Sequence, residues 1–159
     1  MSNVLIAGAT SAIATELARL YAARGARMYL LGGRSREKLD ALAAELGPSV
    51  VGAEPADFGD LAGNAARVER AVAALGGLDV VVIAHGDLGD QLRSEADFAE
   101  AERILRVNLL SVVSLLVPVA NLLETRRHGS IVVLSSVAAE RGRPRNFTYA
   151  SAKAALNVY

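Results

Sequence analysis

Five short runs of this chain are almost wholly apolar: Val4–Ala7, Met28–Leu31, Val50–Ala53, Val80–Ala84 and Ile131–Leu134. Between them lie longer stretches in which apolar residues return every three to four positions, the spacing of a helix face. The first, Ala12 to Arg24, predicts a helix with Ile13, Leu17, Leu20 and Tyr21 facing inward and Gly25 closing it. Ser35 predicts the cap of a second helix through Leu46, with Leu39, Leu42 and Leu46 on its core face, ended by Gly47-Pro48. A third is predicted from Leu61 to Leu75, ended by Gly76-Gly77. The polar segment Gly86 to Asp97 leads into a long helix through about Leu123, with Pro118 as the place for a kink. An Ala-rich helical pattern starts at Tyr149.

Consecutive apolar residues suit strands covered on both faces, and strand and helix patterns alternate throughout. The prediction is an α/β fold: a doubly wound, Rossmann-like parallel sheet with right-handed crossovers. No repeat, low-complexity tract or linker interrupts residues 1–159, which read as one domain. The helix begun at Tyr149 has no cap, glycine or polar tail by Tyr159, so the fold is expected to be incomplete at its C-terminal end.

Composition narrows the functions. An apolar fraction of 52% over 159 residues suffices for one sizeable core. Seventeen basic residues balance seventeen acidic ones, which disfavours nucleic acid and anionic membranes as partners. There is no cysteine, and two histidines make no histidine-rich cluster, so no metal site is expected. The first residues enter a strand pattern without a basic n-region, and Leu109–Leu123 is interrupted by Ser111, Ser114, Pro118 and Asn121. A secretory signal and a membrane span are therefore not expected, and the protein reads as cytoplasmic.

In a parallel sheet of this kind ligands bind beyond the carboxyl ends of the strands. Those ends are Gly8, Gly32-Gly33-Arg34, Pro55-Ala56-Asp57, Ala84-His85-Gly86 and Ser135-Ser136. Gly8-Ala9-Thr10-Ser11-Ala12-Ile13-Ala14 joins the first strand to the first helix, where backbone N–H groups and a helix N-terminus suit a pyrophosphate. Thr10 and Ser11 add hydroxyl donors. Arg34 stands where the adenosine ribose would lie, and no acidic residue occupies 32–35. A guanidinium there suits a 2′-phosphate, which favours NADP over NAD. Asp57 either bonds an adenine amino group or caps its own loop. His85, without partner ligands, either contacts cofactor or packs. Tyr149 and Lys153 sit four residues apart on one helix face, beyond the Ser135-Ser136 hydroxyl pair. An ammonium near a phenol favours the phenolate, so the group looks built for proton transfer.

With these residues the chain resembles the short-chain dehydrogenase/reductase family, in its single-domain branch. Tyr149-Ala150-Ser151-Ala152-Lys153 has the form of that family's Tyr-x-x-x-Lys motif, and Ser136 precedes Tyr149 by thirteen residues, its usual separation. Ser135, one residue further off, fits less well. Asn108, in Arg106-Val107-Asn108-Leu109-Leu110, matches the asparagine of the catalytic tetrad. The first loop keeps the family spacing, with Ala7, Ala12 and Ala14 in place of Thr, Gly and Gly. Ile83-Ala84-His85-Gly86 replaces the usual Asn-Asn-Ala-Gly and keeps only the glycine.

The resemblance implies hydride exchange between a nicotinamide cofactor and a carbonyl/alcohol substrate. Tyr149 would be the acid/base, Ser136 would polarise the carbonyl, Lys153 would bond the nicotinamide ribose, and Asn108 would hold a relay water. Cofactor contacts would fall on Gly8, Thr10, Ser11, Ala12, Ile13, Arg34, Asp57, Ala84, His85, Gly86, Tyr149 and Lys153. It also implies two further strands, a substrate-covering loop, and a homodimer or homotetramer. Two other readings remain: a cofactor-binding scaffold or sensor without turnover, and a sugar-nucleotide epimerase or dehydratase. The latter usually has a loop with one residue fewer between its first two glycines.

Overall fold

The computed structural model describes residues 2–33 and 35–159. The five apolar runs form five strands: β1 (Asn3–Ala7), β2 (Arg27–Gly32), β3 (Val50–Pro55), β4 (Val80–Ile83) and β5 (Ser130–Val133). All pair in parallel in the order β3-β2-β1-β4-β5. The chain moves outward from β1 to β3, then returns to build β4 and β5 on the other side. That reversal opens a crevice between the carboxyl ends of β1 and β4.

Strand pleating sends alternate residues to opposite faces, and each face has its own helices. Leu5, Ala7, Tyr29, Leu31, Val81 and Ile83 pack with α3 (Asn64–Leu75) and α6 (Ser111–Arg126). Val4, Ile6, Met28, Leu30 and Val82 pack with α1 (Ala12–Ala23) and α2 (Arg36–Leu46). Ser11 caps α1 by accepting from the Ala14 N–H, and Ser35 caps α2 by accepting from that of Lys38. The Rossmann-like parallel sheet is therefore as expected.

Several boundaries differ. The α1 stripe on the sheet is Ala14, Ala18 and the half-buried Leu17 and Tyr21, whereas Ile13 and Leu20 are 61% and 55% exposed. Positions 14, 17, 18 and 21 form an equally good helical stripe, and its alanines let α1 lie close to the strands. The third helix starts at Asn64 rather than Leu61, because the wholly buried Asn64 side chain donates to Ser114 Oγ and accepts from Arg67.

The polar segment after β4 contains α4 (Gln91–Ala96), and α5 (Phe98–Leu105) follows at once. Asp90 caps the first and Asp97 the second. The predicted long helix departs from α geometry at a π turn, Arg106–Leu110, and Pro118 lies inside α6. A last helix, α7 (Phe147–Val158), carries Tyr149 and Lys153.

The helical run Phe98–Arg126 spans 29 residues and, by length and composition alone, is apolar enough to cross a membrane. Its Val112, Leu115, Val119 and Leu123 are buried in the core beneath the sheet.

Candidate active site

The β1–α1 turn is fixed by contact with the end of β4. Gly8 has φ of +83°, and a Cβ there would lie 2.5 Å from the His85 backbone N and 2.7 Å from its Cα. Only a residue without a side chain permits both the turn and the approach. Thr10 Oγ1 accepts from the Gly33 N–H at 3.3 Å, and Ser11 Oγ from the Ala14 N–H at 3.3 Å. Each hydroxyl accepts, so each keeps its own proton to donate.

Ala14, in the third glycine position, is fully buried, while Ala12 and Ile13 stand exposed at the helix start. With Asp57, Phe58, His85 and Gly86, the turn encloses a cavity of about 450 Å³ at the crevice. Asp57 Oδ1 accepts from the Gly59 N–H at 2.9 Å, so the residue caps its loop while lining this cavity. Arg34, on which the 2′-phosphate reading rests, lies outside the described residues.

His85 packs and also faces the crevice. Its ring stacks on Phe58 at 3.9 Å, and its Nε2 lies 2.6 Å from Ser111 Oγ. The single Ser111 hydroxyl proton goes to the Val107 carbonyl at 2.6 Å, so Nε2 carries the proton donated to Ser111. Nδ1 is then a buried bare acceptor without a partner among the described residues. Burial, and secondarily the Lys153 charge, pushes His85 down to about 3 from an ordinary 6.5.

Unfolded, His85 binds a proton below its ordinary value; folded, it stays neutral to about 3. Stability is therefore lost as pH falls through that window, by roughly 1.4 kcal/mol per unit. We expect the wild type to lose about 2 kcal/mol between about pH 7.5 and pH 5, and a His85→Ala variant to lack this loss. Unfolding midpoints at both pH values check it, and equal slopes would contradict it. Glu100, held at about 2 chiefly by hydrogen bonds from Arg103, gives up its stabilising charge only between 4.5 and that value.

Asn108 sits in the π turn and is wholly buried. Its Nδ2 donates to the carbonyls of Asp87 (2.7 Å) and Ile104 (2.8 Å), and its Oδ1 accepts from the Asp87 N–H at 2.9 Å. Both amide protons are committed, and the side chain clamps the loop after β4 to the helices. A Cβ on Gly86 would lie 2.9 Å from Asn108 Oδ1 and 3.6 Å from Lys153 Nζ, so this glycine admits both side chains.

Arg103 completes the clamp by pairing with Asp87 and Glu100, while Glu100 accepts from the Asp90 N–H. Sequence reasoning missed this network; the Glu100/Arg103 spacing of one helical turn was its visible signal.

Lys153 is 2% exposed, donates to the Leu134 carbonyl at 2.9 Å, and lies 5.8 Å from the Tyr149 ring centre. Burial lowers its pKa. The two serines at the end of β5 diverge. Ser135 Oγ donates to Asn157 Oδ1 at 2.5 Å, whereas Ser136 Oγ accepts from the Ala138 N–H at 3.1 Å and keeps its proton. Ser136 and Tyr149 line a second cavity of about 390 Å³ with Leu88, Arg143 and Asn146.

The start of α7 is anchored by Thr148, whose N–H donates to Gln91 Oε1 and whose hydroxyl bonds that of Ser94. These contacts with α4 were also not anticipated. The fold thus brings Ser136 and Tyr149 to one cavity and places Lys153 beside both Tyr149 and Gly86 of the crevice.

Known proteins are similar to this chain in sequence and in fold. An uncharacterized oxidoreductase of Mycobacterium tuberculosis is 42% identical over 159 residues, covering 98% of this chain and 63% of that protein. A solved short-chain dehydrogenase/reductase family protein is 30% identical with a TM-score of 0.85, covering 99% of this chain and 64% of its own. An actinorhodin polyketide ketoreductase variant solved with NADPH is 25% identical with a TM-score of 0.87, covering 98% and 61%. The chain thus spans less than two thirds of the length of these relatives. The family model described as short chain dehydrogenase matches residues 2–159, the same span over which the crevice and the Tyr149 helix are built, and the chain belongs to that family.

Proposed function

We propose that the protein is an NAD(P)-dependent oxidoreductase that interconverts a carbonyl and an alcohol, with Tyr149 as acid/base. The observation that carries this reading is the shared cavity of Ser136 and Tyr149, with buried Lys153 between it and the dinucleotide crevice. The crevice fits the cofactor. Gly8 leaves room no side chain could share, Thr10 and Ser11 hold protons free for phosphate oxygens, and His85 Nδ1 is a buried acceptor awaiting a donor.

When bound, the nicotinamide supplies or takes the hydride. Hydride addition leaves an alkoxide, and Tyr149 delivers the proton it needs. Ser136, its hydroxyl proton free, donates to the same oxygen. Lys153, its ammonium 5.8 Å from the Tyr149 ring centre, would bond a ribose hydroxyl. Asn108, its amide protons committed, holds the loop after β4 to the helices, and a water it held would be bound through its main chain. Ala12 and Ile13 would border the phosphates, Asp57 the adenine, and Ala84, His85 and Gly86 the ribose and nicotinamide.

NADP is favoured over NAD by Arg34 and by the lack of an acidic residue at 32–35. In the full-length protein NADPH should bind roughly tenfold tighter than NADH, the worth of one charge-assisted contact. Fluorescence titration with both nucleotides tests it, and tighter binding of NADH would contradict it. Exposed Val117 on α6 and Val158 on α7 support a homodimer or homotetramer. The buried face of the Phe98–Arg126 run favours a cytoplasmic protein.

A further inference from the structure

The cavity that holds the Ser136 and Tyr149 side chains also holds one cation, Arg143. It belongs to the loop Glu140-Arg141-Gly142-Arg143-Pro144-Arg145, which carries three guanidiniums and one carboxylate. Among the described residues most arginines elsewhere are matched, Arg24 and Arg127 excepted. Arg19, Arg67, Arg70 and Arg103 pair with carboxylates, and Arg27 and Arg126 donate to backbone carbonyls. Among the described residues, no carboxylate lies within ion-pair distance of Arg141, Arg143 or Arg145. The same cavity has a second unmatched polar group. Asn146 Oδ1 is buried and has no hydrogen-bond partner among the described residues. The rest of the wall that borders these groups is apolar: Leu88, Val137 and Ala138.

Resting on the activity proposed above, we infer that the carbonyl substrate carries an anionic oxygen group, carboxylate or phosphate, that Arg143 binds. A guanidinium lining a small cavity presents a planar fork of donors to such a group. The cavity's size of about 390 Å³ puts that anion within a few bonds of the carbonyl that faces Ser136 and Tyr149. Asn146 Oδ1 then accepts from a hydroxyl or N–H of the substrate. A neutral ketone would leave the guanidinium without a counter-charge and gain nothing from it.

The test uses the full-length protein with NADPH and matched pairs of ketones: a short 3-oxo acid against its methyl ester, and dihydroxyacetone phosphate against dihydroxyacetone. At least one anionic member should exceed its neutral partner in kcat/KM by about 10- to 100-fold, the worth of a charge-assisted hydrogen bond. Whichever pair shows the preference identifies carboxylate or phosphate. Arg143→Gln should erase it by lowering kcat/KM far more for the anionic member than for its neutral partner, and Arg143→Lys should keep part of it. Neutral and anionic members reduced equally well, or a preference unchanged in Arg143→Gln, would overturn the inference and leave the oxidoreductase reading standing. Reduction of no member of either pair, with NADPH bound, would count against both.

Discussion

Tyr149→Phe in the full-length protein should lower turnover by about 10²- to 10⁴-fold, the usual contribution of a positioned general acid, while nicotinamide affinity stays within about twofold. The substitution removes one oxygen. The ring that faces the Lys153 ammonium at 5.8 Å is kept, as are the half-buried position on α7 and the anchoring of Thr148 to Gln91 and Ser94. Binding and folding contacts therefore survive, and only delivery of the proton to the alkoxide is lost. Steady-state rates and a fluorescence titration on the same preparation separate the two effects. Undiminished turnover would remove Tyr149 from the reaction.

The second large effect belongs to Gly8. Gly8→Ala puts a methyl 2.5 Å from the His85 N and 2.8 Å from the Ala84 carbonyl carbon, in a backbone region that L residues rarely adopt. Backbone at the heart of a parallel sheet does not yield as a flexible side chain would. Gly25 and Gly76 offer a control, since both have φ above +70° but nothing within 4 Å of an added Cβ. Alanine at those positions should cost only the left-handed strain, about 1–2 kcal/mol. Gly8→Ala should cost about 3 kcal/mol or more and weaken dinucleotide binding as well, because the displaced turn carries Thr10 and Ser11. Denaturant midpoints of the three variants check this, and equal losses would contradict the close approach of the turn to β4.

The sheet was legible because its strands are nearly unbroken apolar runs bounded by turn residues, the usual form of parallel strands, although β5 at the sheet edge is largely exposed. The helices were less legible: five were expected, and seven, α1 to α7, lie among the described residues. In α1 two stripes competed, and the one with larger side chains looked stronger, although the packed face is built on Ala14 and Ala18. Alanine carries little hydrophobic weight yet is what close helix-to-sheet contact requires. The segment after β4 was misread for the opposite reason. Its charges look like a loop, but Asp90 and Asp97 are caps of two short helices.

At the candidate site, Tyr149, Lys153 and Ser136 could be found because their spacing is local to one strand–loop–helix unit. The work of Asn108 could not, since its partners Asp87 and Ile104 are met only through the π turn. His85 was seen as either packing or binding. The structure gives its Nε2 to packing and leaves its Nδ1 in want of a donor.

The most direct test of the oxidoreductase reading follows the hydride itself. The full-length protein would be given reduced nicotinamide deuterated at the transferring carbon, together with a panel of ketones and aldehydes, and the alcohols analysed by mass spectrometry. One deuterium on the carbinol carbon with the wild type, and a yield at least a hundredfold lower with Tyr149→Phe despite bound cofactor, is the predicted result. Bound cofactor with no labelled alcohol from any member of the panel, or equal label from the two proteins, would contradict it.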